Sequence, residues 1–461
     1  RGGRGGRMRH HSIVCRLGAS DAGPVRALRP GSHATEIGFI DGQRRLGFGL
    51  GQVLDQLGAL GLRPAERAVD LALVAAAVTA ADTRVSRNTE AQDGWTREID
   101  LHLPVAEPGA WEVVAPLLAR TLGFLTGDRW GLHFRHRPAG VGRLAAPPGR
   151  LRTADPSGVC LFSGGLDSFV GAIDLAAAGE APLLVSHYWD GITSRHQTHC
   201  SRCLRSGFRP AGLHHVRARV GFPSGTVAGS KAENTLRGRS FLFFALASLA
   251  AAALGRREVA VHVPENGFIS LNVPLDPLRL GALSTRTTHP FYMARWNELL
   301  RALDLPARLD NRYRHRTKGE MIRGCADRAF LRRHAKDTMS CSSPTKARWA
   351  GSPPMHCGHC VPCLIRRAAM LAGFGSDDTS YTIPDLRARP LDANKAEGAN
   401  VRSFQLALAR FEANPLLARL LVHQPGPLAD DPGDVAGYEA VYAAGLREVG
   451  DLLGGVAARP L

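Results

Sequence analysis

The chain has 461 residues, of which 44% are hydrophobic and 21% charged, and its formal net charge is +17. This composition excludes a disordered chain and is sufficient for two or three domains with substantial cores. Only five of the 58 basic residues are lysine. Such an excess of arginine is typical of a GC-rich coding bias, so we do not expect a nucleic-acid partner from the charge alone.

The first 157 residues divide into three predicted segments. We interpret residues 1–7, which read RGGRGGR, as a non-native or disordered leader before Met8, with an RGG-type RNA tail as the alternative. Residues 8–136 are predicted to form an α+β accessory domain. Its predicted helices lie at 67–81 and 111–122, and its predicted strands at 96–105 and 130–136. Residues 137–157 contain four prolines and three glycines, so we predict a linker.

From residue 158 onward, apolar strand candidates alternate with helical stretches. The strand candidates are 159–162, 183–186, 215–220 and 259–263. Strands separated by helices predict an α/β domain with a parallel, doubly wound sheet, here over residues 158–382, whose ligands lie at the carboxyl ends of the strands. Residues 383–461 are predicted to be helical, most clearly at 403–412 and 437–453. No run reaches the roughly 18 uninterrupted apolar residues of a membrane span, so we expect no membrane attachment.

The first predicted strand runs into a glycine-rich loop that consists of Ser163, Gly164, Gly165, Leu166, Asp167 and Ser168. Two consecutive glycines allow the backbone to approach an anion, and the helix that follows directs unpaired N–H groups at it. The two serines add hydroxyl donors, and Asp167 is a candidate ligand for Mg²⁺. The loop resembles that of the ATP pyrophosphatases, which cleave ATP between its α and β phosphates. A tight Gly-Gly turn with serine caps is the structural alternative.

Four cysteines form the second motif. Cys357, Cys360 and Cys363 are separated by two residues each, and Cys341 lies sixteen residues upstream. This spacing predicts a structural zinc site in which four thiolates fill the coordination sphere, so the metal should not activate water. An iron–sulfur cluster is the alternative, and His356 or His359 could replace a cysteine. Clustered cysteines of this kind also favour a reducing, cytoplasmic location.

The two motifs together resemble the 7-cyano-7-deazaguanine synthases, the QueC family, over roughly residues 158–375. The match includes Arg366 beside the cysteines and Arg239, although Ser240 replaces the asparagine that usually follows. Thr317 to Ile322 resembles a further family segment, and Thr317 with Glu320 predicts a capping box that holds Lys318 at a helix start facing an anion.

The resemblance implies an ATP- and Mg²⁺-dependent adenylation of a 7-carboxy-7-deazaguanine carboxylate, followed by attack of an amine. The loop at 163–168, Arg239 and Lys318 would meet the phosphate charge. Long members of this layout accompany bacterial anti-phage operons of the Qat type. In that setting the amine could belong to a partner protein, bound by the added domains. Housekeeping synthesis for queuosine is the alternative, and a homo-oligomer remains open.

Three residues are candidates for substrate recognition. Glu265 and Asn266 follow the strand at 259–263, where they could hydrogen-bond a guanine-like edge. A helix-capping turn explains them equally well. Arg286, in the polar segment 284–290, could bind a substrate carboxylate bidentately, although an ordinary loop is the competing interpretation.

Two other function classes stay open. Cys200 and Cys203 form a lone C-x-x-C, which would serve a tRNA-thiolating enzyme, a redox pair or half of a second metal site. A zinc-module nucleic-acid-binding protein would need aromatic residues interleaved with basic ones, but aromatics make up only 6% of the chain.

Overall fold

The structure is a computed structural model that describes residues 10–25, 29–40, 45–91, 93–145, 151–152, 154–208, 212–276, 286–430 and 432–461. Several predictions fall outside these residues. They are the leader at 1–7, its boundary at Met8, and Ser284 and Thr285 at the start of the polar segment 284–290.

The N-terminal unit is built around four strands that are all parallel, in the order β2-β1-β3-β4. Its elements are β1 (His10–Arg16), β2 (His33–Gly38), α1 (Leu50–Ala59), α2 (Glu66–Arg84), α3 (Arg87–Glu90), β3 (Glu98–Val105), α4 (Pro108–Thr126) and β4 (Arg129–His136). The expected α+β class is therefore wrong, because helices cross over between parallel strands and make this unit α/β. The elements β3, β4, α2 and α4 confirm the strands and helices predicted here.

A second sheet of five parallel strands has the order β7-β6-β5-β8-β9. Its elements are β5 (Val159–Leu161), α5 (Leu166–Ala177), β6 (Leu183–His187), α6 (Gly191–Phe208), β7 (His215–Ala218), α7 (Arg239–Ala253), β8 (Val259–His262), α8 (Gly267–Leu271), α9 (Pro290–Ala302) and β9 (Ala307–Asp310). The chain adds β6 and β7 on one side of β5, and then β8 and β9 on the other. The loops after β5 and β8 therefore diverge and leave a crevice at the carboxyl edge.

The chain after β9 is mainly helical, as was predicted for residues 383–461. Its elements are α10 (Lys318–Arg323), α11 (Arg328–His334), α12 (Val361–Phe374), β10 (Leu391–Asp392), α13 (Ala396–Ala413), α14 (Ala418–Leu421), α15 (Val435–Leu453) and β11 (Ala458–Arg459). The helices α13 and α15 confirm the two amphipathic segments. They share an apolar core with α8 and α12, so the C-terminal helices are packed against the elements that border the crevice.

Helix α7 connects the two sheets. Alternate β5 residues divide between two cores: Val159 and Leu161 belong to the core that contains α7, and Cys160 belongs to the core on the α5 side. Nearly every residue of α7 is buried because the helix also packs against α2 of the N-terminal unit. Among the described helices, none has both the length and the apolar character that crossing a bilayer requires.

A buried charge network fixes the N-terminal unit to the segment that leads into α7. The guanidinium of Arg97, which is fully buried, donates to Asp128 at 2.6 Å and to Asp82 at 2.9 Å. Asp82 in turn accepts the backbone N–H of Gly238 at 2.7 Å. Each charge in the network is therefore paired inside the protein, which is the condition under which buried ions are tolerated.

We expect Arg97→Leu to destabilise the protein by about 3–5 kcal/mol, because it removes the shared partner of two buried carboxylates, of which Asp128 retains only Arg87. Thermal unfolding followed by circular dichroism measures the change. Arg129→Leu is the matched control, since Arg129 pairs with Glu98 at the surface and is 76% exposed. That variant should lose less than about 1 kcal/mol. Equal losses in the two variants would contradict the structural role of the network.

Candidate functional site

The glycine-rich loop lies at the carboxyl end of β5, in the centre of the second sheet. Gly164 has a φ of +78°, in the left-handed region that favours glycine. A side chain at this position would also come within 3.0 Å of the backbone nitrogen of Gln197. The Gly164 carbonyl accepts the N–H of Met339 at 2.9 Å. The loop is therefore held from α6 on one side and from the segment before the cysteine cluster on the other.

The loop presents hydrogen-bond donors at the start of α5. Gly165 is the N-cap residue and offers no side chain, so the first N–H groups of this 12-residue helix have no acceptor within it. The Ser163 and Ser168 hydroxyls lie 3.1 Å apart, and Ser168 also donates to the Gly165 carbonyl at 3.0 Å. Ser163 is exposed whereas Ser168 is buried. Free N–H groups, an exposed hydroxyl and the positive end of the helix dipole can together bind an anion.

Asp167 lies behind the loop in a buried cluster. One of its carboxylate oxygens contacts the Lys318 ammonium at 2.7 Å, and the other accepts from the Asn266 amide at 2.7 Å. Asn266 also donates to the Glu265 carboxyl at 3.1 Å. Four residues that the sequence predicted for catalysis or substrate binding thus meet where β5 and β8 end.

The two carboxyl groups of this cluster differ in protonation. Burial raises the pKa of Glu265 well above its ordinary value, and the nearby charge of Asp167 raises it further. Burial also opposes ionisation of Asp167, but the Lys318 charge and the hydrogen bonds from Glu265, Lys318 and Asn266 together hold the Asp167 pKa below its ordinary value. These shifts favour a protonated Glu265 that is hydrogen-bonded to ionised Asp167, beside a single lysine charge.

Asn266 has the capping role that was the alternative to substrate binding. Its side-chain oxygen accepts the N–H of Ile269 at 3.0 Å and caps α8. Both of its N–H donors are used within the cluster, one by Asp167 and the other by Glu265. The amide consequently has no free donor with which to recognise a guanine edge, because both of its N–H groups bind and orient the two carboxyl groups.

Arg239, the first residue of α7, presents an available positive charge near the end of β6. It is half-buried and makes no hydrogen bond or ion pair with another described side chain. Burial lowers the pKa of Arg239, and the charge of Asp190 partly offsets this effect. Burial, followed by the charge of Arg239, lowers the pKa of His187 to about 3, so the neighbouring imidazole is neutral. The guanidinium is therefore free to bind an anion at the carboxyl edge.

Arg286 makes its contacts with helix α4 of the N-terminal unit. Its guanidinium donates to the Phe124 carbonyl at 2.8 Å and lies 4.6 Å from the centre of the Phe124 ring. It thus ties the segment before α9 to α4 of the N-terminal unit. Because one face of the guanidinium covers an aromatic ring, the structure gives Arg286 a docking contact and does not bring it into the Asp167 cluster.

The capping box predicted at Thr317 is confirmed, but Lys318 does not sit at an open helix start. Thr317 accepts from the Glu320 N–H at 3.0 Å, and Glu320 accepts from the Thr317 N–H at 2.7 Å. Glu448 of α15 also reaches this helix start and accepts the N–H of Gly319 at 3.3 Å. The expectation that α10 itself faces a ligand anion is therefore wrong, since a carboxylate from the C-terminal helices occupies that position.

The four cysteines form a compact cluster whose ligand atoms all lie within 4.8 Å of one another. The sulfur atoms of Cys341 and Cys360 are 3.9 Å apart, as are those of Cys357 and Cys363. Zinc–sulfur bonds of about 2.3 Å in a tetrahedron require sulfur atoms about 3.8 Å apart. The cluster can thus bind a single zinc ion, whereas the ligands of a multi-iron cluster must stand further apart. His356 is not needed as a ligand because it accepts the N–H of Ser340.

Arg366, which matched the family motif but had no predicted role, connects the cysteine cluster to the loop. This fully buried side chain donates to the Ala335 carbonyl at 2.6 Å and to the Thr338 hydroxyl at 2.7 Å. It fixes the segment whose next residue, Met339, binds the Gly164 carbonyl. The position of Arg366 three residues after Cys363 was visible in the sequence, but its backbone partners depend on the fold.

Cys200 and Cys203 lie on α6. Cys200 is fully buried, and this burial raises the pKa of its thiol far above the ordinary value. Burial also raises the pKa of Cys203. Since the thiolate is the reactive form of cysteine, both thiols are held in the unreactive form.

No family model, curated protein or solved structure matches the chain. The resemblance of its motifs to a known family therefore rests on the glycine-rich loop, the cysteine spacing and the short segments beside them. A function must be inferred from the geometry of these residues.

We expect the stability of the protein to fall as pH rises through the raised pKa of Glu265. The folded state retains the Glu265 proton, whereas the unfolded chain releases it near pH 4.3, so the stability that this proton provides is complete at low pH and lost above the folded pKa. Between the two pKa values the loss is up to about 1.4 kcal/mol per pH unit. Glu265→Gln should abolish this dependence, as measured by thermal unfolding between about pH 5 and pH 8. Parallel pH curves for the two proteins would show that Glu265 does not hold a proton.

Proposed function

We propose that the chain is a PP-loop ATP pyrophosphatase with a doubly wound sheet, which adenylates a carboxylate of the 7-carboxy-7-deazaguanine type. One observation carries this proposal. The N–H groups of an anion-binding loop lie directly in front of a buried Asp167–Lys318–Glu265 cluster, at the carboxyl edge where the strand order reverses. In open α/β sheets this is the position at which nucleotides bind.

The residues of the loop and its surroundings are suited to a pyrophosphate group. The first N–H groups of α5 and the Ser163 hydroxyl would donate to the β and γ phosphates. Arg239 and Lys318 would balance the negative charge from two sides. Once Glu265 loses its proton, it could hold Mg²⁺ together with Asp167, and the metal would neutralise charge on the departing pyrophosphate.

The reaction requires little proton transfer from the protein. An oxygen of the substrate carboxylate, already ionised, attacks the α phosphorus, and the bond to the bridging β oxygen breaks. Pyrophosphate leaves with the bonding electrons, and an acyl adenylate remains. Attack by an amine then expels AMP, releases a proton and forms an amide. Formation of a nitrile from that amide would require a second ATP-dependent step that removes water. The contribution of the chain is to position the phosphates and to stabilise the charge that develops on pyrophosphate, which is the main source of catalysis in phosphoryl transfer.

The deazaguanine substrate is proposed from the motif resemblance alone, and two of the residues first expected to recognise it make other contacts. Asn266 is occupied by capping α8 and Arg286 by its contact with Phe124. Recognition of the base would therefore use other groups that line the crevice. The amine would be ammonia in nitrile biosynthesis, or a group of a partner protein in an anti-phage system, where the N-terminal unit provides the additional surface.

Two of the alternative functions fit the geometry less well. Thiolation of tRNA needs a reactive cysteine, but the Cys200 and Cys203 thiols are buried and held protonated. A nucleic-acid-binding module needs its basic residues at the surface. Several arginines are instead among the largest fully buried side chains, and they form internal networks: Arg87, Arg97 and Arg366.

The test is pyrophosphate release from ATP with Mg²⁺ and 7-carboxy-7-deazaguanine, together with the mass of the deazaguanine product. We expect Asp167→Asn to reduce the rate at least about 100-fold, because Lys318 loses its counter-charge and the cluster loses a carboxylate. Asp155→Asn is the matched control, since Asp155 is 72% exposed at the surface before β5, and it should retain full activity.

The variant Arg239→Gln gives a second test of the site, which does not depend on whether the Asp167 variant folds. Arg239 has no described hydrogen-bond partner, so its loss should lower activity while leaving the Tm unchanged. Pyrophosphate with a nitrile product would indicate the biosynthetic reaction, and pyrophosphate with a stalled adenylate or amide would indicate transfer to a partner. Absence of pyrophosphate release from the wild-type protein would overturn the substrate assignment.

A further inference from the structure

A second group of metal-binding side chains lies outside the cysteine cluster and the glycine-rich loop. His199 and Cys203 lie on α6, and His334 is the last residue of α11. Their candidate ligand atoms all lie within 4.8 Å of one another. The carboxylate of Asp337, in the 3-10 turn Ala335–Asp337 that follows α11, contacts both histidines.

Three distances in this neighbourhood are close to those between ligands of one tetrahedral ion. The Cys203 sulfur and the His199 Nε2 are 3.5 Å apart. The Asp337 Oδ2 lies 3.3 Å from His199 Nε2 and 3.6 Å from His334 Nδ1. Ligands at zinc distances of about 2.0–2.3 Å in a tetrahedron are separated by about 3.4 Å for a nitrogen–oxygen pair and about 3.6 Å for a nitrogen–sulfur pair.

The chain brings these ligands together through local geometry and one tertiary contact. His199 and Cys203 are four residues apart on α6, so their side chains lie on the same face of the helix. The end of α11 supplies His334, and the turn that follows places Asp337 beside the two histidines. His199 is 53% exposed and Asp337 32% exposed, so an ion can reach the site from solvent. A surface ion pair of these two residues alone contributes little stability and would not gather a thiol and a second imidazole at the same point.

We propose that His199, Cys203 and His334 form a second zinc site. Two imidazoles and one thiolate are ligands suited to zinc, and the fourth position would be filled by the neighbouring Asp337 carboxylate or by water. Bound zinc would also reverse the raised pKa of the Cys203 thiol, since a coordinated thiol is deprotonated. The site shares no residue with the Cys341–Cys363 cluster.

The position of this site shows which segments of the chain the metal would hold together. Asp337 lies two residues before Met339, whose N–H binds the Gly164 carbonyl of the glycine-rich loop. The Asp337 carbonyl also lies 2.7 Å from the His196 Nδ1 on α6. Zinc would therefore fasten the end of α11, just before the segment 337–341, to α6, while the cysteine cluster fastens the other end of that segment at Cys341.

The test is the zinc content of the full-length protein after dialysis against buffered Zn²⁺ at about micromolar free concentration, measured by plasma mass spectrometry. We expect two zinc ions per chain in the wild-type protein, and one in both Cys203→Ser and His334→Ala. The matched controls are Cys325→Ser, a buried cysteine outside both clusters, and His423→Ala, an exposed histidine. Both controls should retain two ions.

Substitution with Co²⁺ gives a second measurement that does not depend on counting. The cysteine cluster alone should give an all-thiolate cobalt spectrum, and Cys203→Ser should retain it. The difference spectrum between wild type and this variant should be that of a cobalt ion with mixed nitrogen, oxygen and sulfur ligands. A single zinc ion in the wild-type protein, or unchanged zinc content in both ligand variants, would overturn the proposal.

Discussion

The ion pair between Lys318 and Asp167 is the constraint on which the rest of the site depends. A lysine and an aspartate buried this deeply must remain paired, because either charge alone would be costly in the interior. The pairing fixes α10 against the start of α5, and Asn266 joins the same aspartate to the end of β8. Burial and the Asp167 charge together raise the pKa of Glu265, since a second negative charge beside Asp167 would have only one lysine to balance it. The front of the loop is thereby left free for an outside anion.

The loop is supported from a distance by elements that contact no ligand. Gly164 is bound through Met339, and Arg366 holds the segment that contains Met339. The four-cysteine cluster anchors the end of the same segment, and α15 reaches the start of α10 through Glu448. In this arrangement the zinc-binding element and the C-terminal helices are parts of the loop's framework. Their role is to keep the donors in place, which suits catalysis by preorganised electrostatics.

The sequence was sufficient to predict the structural features that local residue patterns determine. Strand and helix periodicity identified most elements of the second sheet, and the consecutive glycines identified the loop. The cysteine spacing likewise predicted a cluster that the structure brings together. The features that the sequence did not predict depend on contacts between distant segments. They are the parallel pairing of β1 with β2 and β3, the contact of Arg286 with Phe124, and the hydrogen bond from the start of α10 to Glu448. Neither propensity nor spacing contains such information, since partner and target are separated by many residues and meet only in the folded chain.

The proposed function depends on one contact, in which the N–H groups at the start of α5 bind the β and γ phosphates of ATP. A crystal structure with an ATP analogue that cannot be cleaved between its α and β phosphates would reveal this contact. We expect density for these phosphates within hydrogen-bond distance of the Leu166, Asp167 and Ser168 backbone nitrogens, with the Arg239 guanidinium contacting the same group. An analogue bound elsewhere on the chain, or a loop that stays empty at saturating analogue, would contradict it.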